Sequence, residues 1–127
     1  MAKHNEIGKI GENIAKTSLM KHGFSVLEAN FHTRFGEIDL IAEKDNVIHF
    51  VEVKTKNVSD FEHIDTLHIK PEDNFTKEKF KNVVISAEIY SSTRKTGQRW
   101  QIDLLCVYVV TKTRLGKVIL IQNVHVE

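Results

Sequence analysis

The chain has 127 residues, of which 41% are hydrophobic and 28% charged, with a formal net charge of +1. That length and composition suit a single soluble globular domain over residues 1–127 with a modest core. No apolar run nears the ~18 residues of a membrane span, Met1 to Glu6 is no signal peptide, and one cysteine excludes an internal disulfide or a multi-thiolate zinc site. The expected setting is the cytoplasm, with no membrane partner. A charge near zero does not by itself announce a nucleic-acid binder, so that case must come from local clusters.

Taken in order, residues 5–22 read as a first helix, with Asn5 as cap and Lys21-His22-Gly23 as stop. Ile7, Ile10 and Ile14 form an apolar stripe, and Gly8, Gly11 and Ala15 an adjacent small-residue strip suited to close backbone packing. Glu12 lies at the edge of this inward face, either leaning over the sheet or bathed in water. Residues 24–31 read as a strand, followed by His32-Thr33-Arg34. Arg34 is a candidate phosphate contact or an ordinary surface cation.

Residues 36–43 and 47–55 read as two strands joined at Asp45-Asn46, residues that adopt the left-handed backbone a tight hairpin requires. If these two form the loop, facing partners sum to about 91, the consequence of a two-residue hairpin. Asp39 then faces Glu52, and Glu37 faces Lys54. Strict alternation would put all four on one face. Two carboxylates directly opposed repel, and a divalent cation is the usual reason for keeping them close. Lys54 would then orient a water or stabilise charge on a phosphoryl oxygen. The competing reading is a solvated face with a Glu37–Lys54 salt bridge.

Residues 57–74 are the least legible stretch: Phe61, Ile64, Leu67 and Ile69 suggest partial order, as in a covering loop. His63 and His68 lack convincing metal-ligand spacing. A second helix is expected over 75–91, capped by Asn74 or Thr76, with Phe80, Val83, Val84 and Ala87 facing inward. Lys77 and Lys81 are one turn apart, where they either touch a nucleic-acid backbone or solvate the surface. The connector 91–101 carries Arg94, Lys95 and Arg99 without an acid, and Trp100 among them reads as core or strand edge rather than a base-stacking platform. Residues 102–110 form an apolar run expected of a doubly covered strand, with Asp103 structural or supporting and Cys106 buried. A turn over 111–117 and an edge strand over 118–124 close the chain.

Gly-Glu-Ile-Asp-Leu-Ile-Ala at 36–42 followed by Phe-Val-Glu-Val-Lys-Thr at 50–55 resembles the YraN-like family (UPF0102). That family lies within the restriction-endonuclease-like superfamily of PD-(D/E)xK nucleases, to which archaeal Holliday-junction resolvases also belong. The resemblance runs from about Ile7 to Val110, is strongest over 36–55, and departs mildly where His32 and Lys56 stand for arginine. It implies an α/β (α+β layered) fold with a central mixed sheet, in the order α-β-β-β-α-β plus a C-terminal strand.

It also implies a Mg²⁺- or Mn²⁺-dependent endonuclease acting on DNA, branched or junction DNA included. Asp39, Glu52, Lys54 and Glu12 would be catalytic, with the metal held by Asp39, Glu52, the Val53 carbonyl and Glu12. DNA contacts are expected from Arg34, Lys56, Lys77, Lys81, Arg94, Lys95 and Arg99, and a homodimer is compatible with the family. Two other readings stand beside it: a non-catalytic DNA-binding or DNA-processing accessory module, and an interaction domain whose acidic face is only solvated.

Overall fold

The computed structural model describes residues 2–62, 64 and 71–126. Its centre is a five-stranded mixed sheet with spatial order β1-β2-β3-β4-β5: β1 Ser25–Thr33, β2 Gly36–Lys44, β3 Val47–Asn57, β4 Arg99–Val110 and β5 Leu115–Ile121. Only β3 and β4 run parallel, and the crossover between them carries the helices α2 (Pro71–Asn74) and α3 (Lys77–Arg94). α1 (Ala2–Lys21) covers the opposite face. The mixed, layered α/β architecture is the one the sequence predicts.

The hairpin forms through Asp45 (φ 51°) and Asn46 (φ 64°), and the register from Leu40↔Val51 to Lys44↔Val47 follows the count made from the sequence. β4 is buried on both faces from Ile102 to Val109, so its sequence has no alternation to show. Ala15 and Leu19 of α1 pack with Leu40, Val51 and Leu105 of the sheet, while Val83, Ala87 and Tyr90 of α3 pack with Ile48 and Phe50 on the other face. Phe61 and Ile64 lean on the α3-side core as expected of a covering segment, whereas His63, Leu67, His68 and Ile69 lie outside the described residues.

Several boundaries differ from the sequence reading. α1 runs back to Ala2, so Asn5 lies within the helix rather than capping it. Its C-terminus closes at Gly23 (φ 88°), with the Phe24 N–H donating to the Leu19 carbonyl at 2.9 Å. Gly11 is the close-packing glycine: a Cβ there would sit 1.9 Å from the Thr55 hydroxyl, whereas one on Gly8 would meet nothing within 4 Å. α3 begins after Thr76, whose hydroxyl accepts from the Lys79 N–H at 3.1 Å, and it continues to Arg94. β4 starts at Arg99, which takes Arg99 and Trp100 out of the connector; Trp100 packs edge-on against Phe50. β5 begins at Leu115 because Gly116 is a strand residue, and Ile14 fills the space its missing side chain leaves.

Candidate active site

The β2–β3 ladder stops at Leu40↔Val51, one pair short of the predicted Asp39–Glu52 pair. The cause is a break in both β1 and β2. Asn30 has a left-handed backbone (φ 54°), a conformation Asn tolerates better than most residues, and the β1–β2 register skips Asn30 and Asp39. Around the break alternation fails: Ile38 joins the α3-side core while Leu40 joins the α1-side core, although they are two residues apart. The strict alternation used to place Glu37, Asp39, Glu52 and Lys54 on one face is therefore corrected here. Asp39 instead sits where the strands part, and its Oδ2 accepts a 2.8 Å hydrogen bond from the Val53 N–H.

That position brings Asp39 to Glu52. Glu52 is only 3% exposed, so it is no part of a solvated face. Its Oε1 is buried without a hydrogen-bond partner, and its Oε2 pairs with the Lys79 ammonium. Burial, then the adjoining Asp39 carboxylate, push the Glu52 pKa up to about 8 against the opposing pull of Lys79. For Lys79 itself, burial alone would lower the pKa. Glu52 outweighs that burial, helped by Asp39 and Glu37, and the net shift is upward. A buried acid with one orphaned oxygen and a second carboxylate beside it suits a hard cation, which takes oxygen ligands.

Glu12 shares a cleft of about 530 Å³ with Asp39, Val53, Lys54, Thr55 and Gly8. Its Oε1 accepts from the Asn30 side-chain amide at 3.2 Å and lies 3.8 Å from Lys16. Among the described residues no three His, Cys, Asp or Glu side chains converge as a metal cluster; Asp39 adjoins Glu52 and also lines the cleft that holds Glu12, whereas Glu52 turns to Lys79 of α3. Lys54 is exposed in this same cleft. Glu37 lies 3.9 Å from His32, and no Glu37–Lys54 bridge is present among the described residues.

The cations expected to contact DNA divide into groups. Arg34 is exposed in the β1–β2 turn and stacks over Phe35, and Lys56 is exposed near the end of β3. Lys77 and Lys81 are exposed two positions either side of Lys79, hence on the outer side of α3. Arg94 is committed: its guanidinium donates to both carboxylate oxygens of Glu28, at 3.2 and 2.9 Å, and lies over Tyr90 and Phe31. Lys95 is the left-handed C-cap of α3, and Arg99 pairs with Val47 in register. Since Glu52 pairs with Leu104, Arg99 is five residues, roughly 17 Å, from the carboxylates along the strand.

Lys79 is the site residue that sequence reasoning passed over. Lys77 and Lys81 form a conspicuous i, i+4 pair, while Lys79 stands four residues before the buried Val83 and so on the row facing the sheet. Asp103, read as structural, is so: it accepts from the Gln101 side-chain amide at 2.9 Å and the Asn123 N–H at 3.0 Å, and pairs with His49 at 2.7 Å.

The family model described as "Uncharacterised protein family UPF0102" matches residues 11–107, spanning the hairpin, both carboxylates and α3. A UPF0102 protein of Campylobacter fetus subsp. fetus is 39% identical over 90% of this chain and 88% of its own length. UPF0102 proteins of Campylobacter lari and a Nitratiruptor species are 40% and 38% identical, covering 77% and 76% of this chain and 80% and 78% of their own. Among the described residues no helix is long and apolar enough to cross a membrane. The chain belongs to the UPF0102 family.

Proposed function

We propose that this protein is a metal-dependent endonuclease that hydrolyses phosphodiester bonds in DNA, branched or junction DNA included, and works in the cytoplasm. The observation that carries this reading is the buried Glu52 carboxylate, with an orphaned Oε1 and the Asp39 carboxylate beside it. Asp39 and Glu52 would hold Mg²⁺ or Mn²⁺ together with the Val53 carbonyl. Such a cation, when bound, supplies charge to a phosphate oxygen and acidifies a water. The Val53 N–H fixes Asp39 through one oxygen, and the exposed Lys54 ammonium is available in the cleft to orient the attacking water. Glu12, held by Asn30 and Lys16, lines the wall opposite and would position water or a second ion. Arg34, Lys54 and Lys56 supply positive charge for the DNA backbone.

A non-catalytic DNA-binding module is the second reading. It is favoured by the pairing of Glu12 with Asn30 and Lys16, which leaves two carboxylates rather than three to hold an ion. Purified protein incubated with linear, nicked, flapped and four-way DNA, in Mg²⁺, Mn²⁺ or EDTA, separates the two. The nuclease reading expects metal-dependent cleavage that Asp39→Asn, Glu52→Gln and Lys54→Ala each abolish or strongly reduce. Binding without cleavage under every condition would leave the accessory role.

A further inference from the structure

The ion pair between Lys79 and Glu52 gives the α3 lysine a task beyond packing. Lys79 sits in the first turn of α3, and its ammonium lies among Glu52, Asp39 and Glu37. Its side chain is 53% exposed, while the carboxylate it touches is 2% exposed. A hollow of about 230 Å³, lined by Phe35, Glu37, Thr76, Glu78 and Asn82 among others, opens beside it. The ammonium therefore neutralises a buried acid from the solvent side, at the end of a flexible four-carbon stem with space to move into. It satisfies Glu52 Oε2 but leaves Oε1 without a partner. An ammonium donates hydrogen bonds and cannot act as a metal ligand while charged.

We propose that Lys79 is a built-in counter-cation: it holds Glu52 while the site is empty and gives that carboxylate up to an arriving divalent cation. The inference rests on reading Asp39 and Glu52 as cation ligands. Lys79 and the metal then compete for one carboxylate, and two cations gathered around Glu52 also repel each other. The released ammonium stays in the hollow beside Glu37. Lys79 would thus set the threshold metal concentration at which the site fills, trading metal affinity for a neutralised buried acid in the empty protein.

Isothermal titration with Mn²⁺ in mildly alkaline buffer without DNA, on wild type and Lys79→Met, reads this directly. The variant should bind Mn²⁺ at least about fivefold more tightly, the lower range of ordinary coupling between two sites. A second readout needs no variant. Acylation of Lys79 in the wild-type protein, followed by mass spectrometry, should rise when Mn²⁺ is added. An unchanged Kd in folded Lys79→Met, or Lys79 labelling that ignores Mn²⁺, overturns the counter-cation role and leaves the cation site standing. If wild type itself binds no Mn²⁺, the site reading falls and this inference falls with it.

Discussion

Asp103 and Glu52 lie on neighbouring strands, are both almost fully buried, and have opposite surroundings. Asp103 faces the α1 side and has three partners, His49, the Gln101 amide and the Asn123 N–H. The ring of His49 is itself held edge-on to Phe24. Glu52 faces the α3 side, where one oxygen pairs with a half-exposed lysine, the other has no partner, and a second carboxylate stands alongside. Buried polar groups are normally satisfied, and an uncompensated buried charge is strongly destabilising. The difference separates a carboxylate whose partners all come from the fold from one that keeps an oxygen open for the proposed cation.

The largest expected effect breaks the satisfied member. Asp103→Ala strips His49, Gln101 and the Asn123 N–H of their acceptor and should cost about 3–5 kcal/mol in urea unfolding. A loss below about 1 kcal/mol would mean that Asp103 does not anchor that end of the sheet.

The next tests the unsatisfied member by pH. Folding raises the Glu52 pKa from its ordinary 4.5 to about 8, so between those values the folded chain binds a proton that the unfolded chain lacks. Its contribution to metal-free stability is fully present below about pH 4.5 and is lost as pH rises through 8. The loss amounts to a few kcal/mol, because each tenfold gain in proton affinity on folding is worth about 1.4 kcal/mol. Urea unfolding in EDTA across this range should show that decline in wild type, and Glu52→Gln should flatten it. An equally steep decline in Glu52→Gln would assign the pH dependence to other groups.

The smallest effect concerns the basic connector. Arg94→Ala removes an exposed ion pair and its aromatic contacts and should cost about 0.5–1 kcal/mol of stability. DNA affinity, measured by fluorescence anisotropy, should not change, because Glu28 already holds the guanidinium. A clear fall in affinity would return Arg94 to the DNA interface.

What was legible in the sequence was what local chemistry dictates. Asp45-Asn46 specifies the hairpin and its register, Thr76 caps α3, and the apolar run after Ile102 announces a doubly covered strand. What escaped depends on partners distant in sequence. The run of Arg94, Lys95 and Arg99 looks like free positive charge until β1 supplies Glu28, 66 residues away. Alternation counted along β2 ignores the left-handed Asn30 on the neighbouring strand, so it extends the ladder to an Asp39–Glu52 pair and to a shared face that the strand does not follow. Gly116 reads as turn punctuation, and only the packing of Ile14 against it makes it a strand residue. Lys79 was hidden between two more conspicuous lysines.

On the proposed reading, Asp39 and Glu52 are held close for the sake of a cation. A melting-temperature titration with Mn²⁺ on wild type and Asp39→Asn tests it most directly, because a ligand that binds only the folded state raises stability as RT ln(1 + [L]/Kd). In EDTA above about pH 8, where Glu52 is ionised, Asp39→Asn should melt at or above the wild-type temperature, since a repelling carboxylate has been removed from beside it. With Mn²⁺ the wild-type melting temperature should climb with concentration while that of Asp39→Asn stays flat. Identical responses from the two proteins would contradict the account and remove Asp39 from any metal site.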